Sequence, residues 1–192
     1  MRRVFRTRRP GISMVEALVA VTVTTIAGAA LLTSIGAAVR SSTDAAHLAV
    51  ARGLAEQMMD KIAAVRFPDD DIQQPSPTTR ENFDDIDDYN GWSSSPVQDR
   101  NGRALGTEGD AAASGAEFRP TSLRPDTRFL NRLTRRVEVE RIRPDPDSGW
   151  SIVSEHTNFR RVTVRVDDTN SQSNTKVLAD ISRVFSLVPV AP

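Results

Sequence analysis

The chain has 192 residues, enough for one modest domain and an appendage, and its 25 basic and 25 acidic side chains cancel. The balance excludes a global pull toward nucleic acid, and the absence of cysteine excludes disulfides and thiolate chemistry. Aromatic residues make up only 5% of the chain, so any soluble core is small.

The balanced charge hides an asymmetry at the N-terminus. Arg2, Arg3, Arg6, Arg8 and Arg9 stand in the first eleven residues with no acid among them, which leaves 20 basic against 25 acidic residues in the remainder. Residues 17–39 (ALVAVTVTTIAGAALLTSIGAAV) then carry no charge. A bilayer-spanning helix needs about 20 predominantly apolar residues, and this run is long enough. Thr22, Thr24, Thr25, Thr33 and Ser34 interrupt it, but a threonine hydroxyl can bond back to its own helix. Ala27, Gly28, Ala29 and Ala30 allow close helix approach. The basic start predicts a cytoplasmic N-terminus, with the rest of the chain on the far side. A secretory signal with a cleavage site at Ala27-Gly28-Ala29 and a plain anchor both fit the basic-then-apolar order. Neither has a use for Glu16, because an acid deep in a bilayer costs about 2.5–3.5 kcal/mol even on the lenient insertion scale.

Gly11-Ile12-Ser13-Met14-Val15-Glu16-Ala17-Leu18-Val19-Ala20 resembles the processing and methylation motif of type IV prepilins and type II secretion pseudopilins. In that family a short basic leader ends in glycine, a membrane-embedded aspartic peptidase cuts after it and methylates the new N-terminus, and a glutamate stands at the fifth mature position. The resemblance implies processing between Gly11 and Ile12, with Glu16 as the fifth residue and an assembly residue. Ile12 departs from the phenylalanine most often found there, and hydrophobic alternatives are tolerated. In the family the glutamate pairs with the terminal amine of a neighbouring subunit, so that two charges costly in apolar surroundings neutralise each other. The implied protein is a minor pilin or pseudopilin of a type IV pilus or type II secretion pseudopilus. It would be single-pass in a bacterial inner membrane, with its head periplasmic or extracytoplasmic. Its implied partners are other pilins or pseudopilins, the prepilin peptidase and an inner-membrane assembly platform, with no cofactor and no metal. The implied fold is α+β and pilin-like, a long N-terminal helix packed on a C-terminal antiparallel sheet. An exported binding or adhesion protein on a simple anchor is the alternative.

Past the apolar run the helical pattern continues. No proline occurs between Pro10 and Pro68. Leu48, Ala51, Ala55, Met58, Ile62 and Val65 recur at spacings of three and four, which predicts one apolar stripe. Arg52, Glu56, Asp60, Lys61 and Arg66 lie mainly off it. The expected helix runs from Ile12 to about Arg66, roughly 80 Å at 1.5 Å per residue. Its membrane half is 12–40 and its amphipathic half 41–66, after a basic leader at 1–11.

Periodicity then fails, and residues 67–131 read as an irregular, variable region rich in Pro, Ser, Gly and Asp. In pilins such a region often wraps across the sheet. Within it FDDIDDYNGW gathers Asp84, Asp85, Asp87, Asp88 and Asn90, oxygen ligands of the kind calcium prefers. Their spacing does not fit the D-x-D-x-D-G loop. The plainer reading is a solvated acidic turn with Phe83, Ile86, Tyr89 and Trp92 packed on the sheet.

Residues 132–192 carry strand signals. TRRVEVERIR alternates through Val137 and Val139 and slips at Ile142, as a bulge would cause. PDPDSG is a turn, and WSIV (150–153) reads as a short strand. RRVTVRV sets Val162, Val164 and Val166 on one face, and KVLADISRVFSLV points Val177, Ala179, Ile181, Phe185 and Leu187 inward. Strands joined by short polar links predict an antiparallel meander covered by the helix stripe. Catalytic signatures are absent. His47 and His156 lack metal-ligand spacing, residues 11–15 are not a nucleophile elbow, and there is no phosphate loop or dinucleotide fingerprint. The aromatic interleaving of a single-strand binder is also missing, and no enzyme is expected.

Overall fold

A computed structural model describes residue 11 and residues 13–68, 77, 79–107, 127–170 and 174–187. The basic leader up to residue 10, the expected new N-terminus Ile12 and parts of the irregular region lie outside the described residues, as does the C-terminal end beyond Leu187. The chain divides into two compact units, Met1–Ala45 and Ala46–Pro192. Helix α1 (Met14–Ala63) is continuous through the division. The layout is α+β, one long N-terminal apolar helix followed by a C-terminal antiparallel sheet.

In the first unit α1 keeps its apolar side chains uncovered. Leu18, Val21, Ile26, Leu31 and Leu32 are all exposed. This helix is long and apolar enough to cross a membrane. Its threonines behave as helix chemistry dictates. Thr22 donates to the Val19 carbonyl at 2.8 Å, and Thr24 and Thr25 donate to Ala20 and Val21, each at 2.7 Å. Thr33 donates to Ala30 at 2.8 Å. These four hydroxyls therefore need no water.

In the second unit the end of α1 joins the core. Ala51, Ala55, Met58, Met59 and Ile62 are buried together with Leu133, Val137, Val139, Val162, Val164 and Val166 of the sheet. Two details of the expected stripe change. Leu48 is exposed, and His47, four residues before Ala51, points inward and stacks on Phe129 with ring centroids 3.9 Å apart. A four-residue step keeps a side chain on the buried face, and it selects His47 over Leu48. The helix also ends at Ala63, not at Arg66. Residues 64 and 65 tighten into bonds three residues back, to the Lys61 and Ile62 carbonyls, and Arg66 bridges to Asp85.

The sheet contains β1 (Ser93–Ser94), β2 (Leu133–Asp145), β3 (Gly149–Ile152), β4 (Phe159–Asn170) and β5 (Asn174–Ser186). The order is β1-β2-β4-β5, with β3 paired to the far end of β2. All four pairings are antiparallel. A four-residue helix, α2 (Thr127–Leu130), precedes β2 and buries Phe129 and Leu130. The slip at Ile142 is not a bulge. There β2 changes partner, from β4 at Arg141–Arg160 to β3 at Ile142–Ile152. The β2–β3 turn is held by Asp145, whose carboxylate accepts from the Asp147 N–H at 2.9 Å and the Ser148 hydroxyl at 2.9 Å. Gly149 closes it at φ +78°, a conformation that costs other residues a Cβ clash.

The bulge lies in β5. Val166 faces Ala179 and Asp167 faces Val177, so Leu178 is the extra residue. One extra residue reverses the alternation, which turns Val177 outward and half buries Leu178. Ala179, Ile181 and Phe185 keep the expected inward face. Leu187 is exposed, because it lies beyond the last paired residue, Ser186.

Buried arginines tie the irregular region to the sheet. Arg160 is fully buried and clamps Asp87 with bonds of 2.8 and 3.2 Å, while also donating to the Thr157 carbonyl at 2.6 Å. Arg135 is equally buried, and among the described residues no acid pairs with it. It donates to the carbonyls of Gln98 at 2.7 Å and Leu54 at 3.3 Å and lies 5.4 Å from the Trp92 ring. Burial, aided by nearby Arg80, pushes its pKa down to about 10. Arg80 donates to the Asp99 carbonyl at 2.9 Å and covers the Trp92 ring at 4.7 Å. The described part of this region is irregular in dihedral angles yet fixed in place by side chains.

Candidate functional site

The residues that carry the prepilin resemblance bracket the start of α1. Gly11 is exposed and lies outside any helix or strand. Space around it is open, and a Cβ built there would meet nothing within 4 Å. Ile12 lies outside the described residues. Ser13 precedes the first helical residue, Met14. Its carbonyl accepts the first helical bond, from the Ala17 N–H at 3.1 Å, and its hydroxyl accepts the Glu16 N–H at 3.2 Å. Ser13 is therefore the N-cap, and Glu16 sits at the third helical position, as in a capping box. This local fit adds to the role expected of Glu16, and the spacing Ser-x-x-Glu ahead of an apolar run is its signal. An acid in a first turn also faces the positive end of the helix dipole. Glu16 therefore has two available tasks, stabilising its own helix start and offering a carboxylate to a neighbour.

The acidic turn separates the five candidate calcium ligands. Asp87 belongs to Arg160, with Arg141 a further 3.5 Å from it. The side-chain oxygen of Asn90 accepts the Val139 N–H at 3.1 Å, which pins the turn to β2. Asp84, Asp85 and Asp88 remain together, with one oxygen of each within 4.8 Å of the others. Those oxygens already have work. Asp88 accepts the N–H groups of Asp84 and Asp85 at 2.9 and 3.3 Å, Asp85 accepts the Asp88 N–H at 3.1 Å, and Arg66 pairs with Asp84 at 2.9 Å. Burial first, then the adjacent carboxylates, raise the Asp85 pKa. The turn is built as expected on its apolar side, with Ile86 and Tyr89 buried and Phe83 and Trp92 half-buried against the core.

The histidines are apart. His47 stacks on Phe129 and His156 is exposed beside the turn before β4. On the solvent face of the sheet an open groove of 540 Å³ runs past Trp92, Arg136, Glu138 and Arg165. Its two arginines are engaged, Arg165 with Asp180 at 2.8 Å and Arg136 with Asp167 at 3.5 Å. No family model, no curated protein and no solved structure matches this chain.

Proposed function

We propose that the chain is a minor pilin or pseudopilin. It would be cut between Gly11 and Ile12 by a prepilin peptidase, held in a bacterial inner membrane by the first part of α1, and assembled with other pilins through an inner-membrane platform into a type IV pilus or type II secretion pseudopilus. The observation that carries this reading is the order of features at the helix start. An exposed glycine outside the helix is followed five residues later by Glu16 in the first turn of an uncovered apolar helix. Cleavage would leave an amine on Ile12, one helical turn from Glu16. In a fibre the Glu16 carboxylate of one subunit would meet the Ile12 amine of the next, each removing the other's cost in apolar surroundings. The α+β head would present its surface outside the membrane, and the work of the protein would be structural.

The Ser13–Glu16 cap favours a second reading, in which α1 is a plain anchor, the head binds partners of its own, and Glu16 only stabilises its helix. Mass spectrometry of the mature N-terminus separates the two. A methylated Ile12 is expected for a processed pilin, and a chain that keeps its arginine-rich leader would refute processing. Gly11→Val should abolish the size shift when the chain is co-expressed with the peptidase, because a β-branched side chain beside the scissile bond obstructs the site.

A further inference from the structure

We infer that Ser13 is a positioning residue for processing: its side chain stops α1 from growing backward over the Gly11–Ile12 bond. The inference rests on the pilin reading above. A peptidase reads an extended backbone whose carbonyl and N–H groups are free, and a helix ties those groups up internally. In a helix one turn longer, the Val15 N–H would bond the Gly11 carbonyl, the acyl side of the scissile bond. The Glu16 N–H would bond the carbonyl of residue 12. The Ser13 hydroxyl takes the second of these donors, at 3.2 Å, and the first helical carbonyl is that of Ser13 itself. The boundary needs such a stop, because the chain ahead of it does not forbid a helix. Proline is tolerated at a first helical position, and Pro10 stands where an extended helix would begin. Gly11 weakens such an extension but leaves it open.

Ser13→Ala removes the cap and installs the best helix former at the boundary. Both changes move the helix upstream. Ser13→Thr keeps a capping hydroxyl. Ser13→Gly has none, yet glycine is nearly as good an N-cap and a poor helix former, so it too holds the boundary. The glycine variant separates a helix stop from direct recognition of the hydroxyl by the enzyme.

The test is pulse-labelled processing of the full-length chain in membranes with its prepilin peptidase, with the cut site read by mass spectrometry. Ser13→Ala is expected to be processed roughly fivefold more slowly than wild type, and Ser13→Thr and Ser13→Gly within roughly twofold of it, with membrane insertion equal for all. Wild-type speed for Ser13→Ala would overturn the inference and leave the pilin reading intact. A glycine variant as slow as the alanine variant would also overturn it, assigning the hydroxyl to enzyme recognition instead. If wild type is not cut between Gly11 and Ile12, the pilin reading fails and takes the inference with it.

Discussion

The first part of α1 and the head solve the problem of polar groups in an apolar setting in opposite ways. Along α1 the threonine hydroxyls bond to carbonyls three or four residues back in their own helix. In the head, Arg160 reaches 73 residues back along the chain to Asp87, and Arg135 reaches 81 residues to the Leu54 carbonyl. A segment whose polar groups are satisfied locally can enter lipid as a unit without tertiary partners. A segment whose polar groups are satisfied at long range is stable only when the whole domain is assembled, and losing one partner strands the other.

The largest effect should come from breaking the most buried of these long-range links. Arg160→Leu removes the two short bonds to Asp87, leaving it the longer Arg141 contact at 3.5 Å, and takes the donor from the Thr157 carbonyl, and should cost about 3–5 kcal/mol of head stability. Arg135→Met removes two hydrogen bonds to carbonyls that keep another donor, Arg80 for Gln98 and the helix ladder for Leu54, and should cost about 1–3 kcal/mol. Thermal unfolding of the detergent-solubilised chain, followed by the near-ultraviolet signal of Trp92 and Trp150, ranks the two. Equal losses would remove the distinction between a buried ion pair and a buried cation held by backbone carbonyls.

Apolar truncation sharpens the same contrast. Met58 is fully buried, and Met58→Ala should destabilise the head by about 2–5 kcal/mol. Leu31 is exposed, and Leu31→Ala should leave the head transition where it is. A fall in melting temperature with Leu31→Ala would mean that the first part of α1 stabilises the head after all.

Glu16 tests which kind of polar satisfaction operates at the helix start. Glu16→Val should ease insertion, by less than the roughly 2.5–3.5 kcal/mol of an acid at the helix centre because Glu16 lies in the first turn, and leave cleavage intact, yet weaken entry into the fibre. Glu16→Gln keeps a residue suited to the capping box and removes the charge. Docking through the neighbour's amine requires that Glu16→Gln fail to assemble as Glu16→Val does, measured as the ratio of sheared fibre to membrane fraction. If Glu16→Gln assembles normally and Glu16→Val does not, the role of Glu16 is the local cap.

The smallest effect belongs to the acidic turn. Asp85 has a folded pKa above its unfolded value, so its contribution to stability is full only below the unfolded pKa and is lost as pH rises through the folded one. Ionised Asp85 is therefore a modest cost at neutral pH. Asp85→Asn keeps the oxygen that accepts the Asp88 N–H and should be neutral to slightly stabilising at pH 7, by less than about 1 kcal/mol after solvent screening. Its advantage should vanish in acid. Urea midpoints for the two proteins at neutral and acidic pH measure this, and a variant markedly less stable at pH 7 would contradict the burial argument.

The amino-acid sequence by itself determined the features that depend on near neighbours along the chain. The apolar helix, the threonines that bond within it, the inward valines of β2 and β4 and the turn after β2 follow from periods of 3.6 and 2 and from turn chemistry, which act over a few residues. The Ser13 cap belongs with them, since Ser-x-x-Glu is a local signal. Only the tertiary structure decided the rest. Leu48 gave way to His47 because the position of Phe129 sets which face of the helix is covered. Val177 turned outward because one extra residue, Leu178, is absorbed in pairing with β4. The five acidic-turn ligands were split because a buried arginine 73 residues away claimed Asp87 and a strand N–H claimed Asn90. In each case the deciding partner is distant in sequence, and no local period or spacing records which of several chemically similar partners closes the contact.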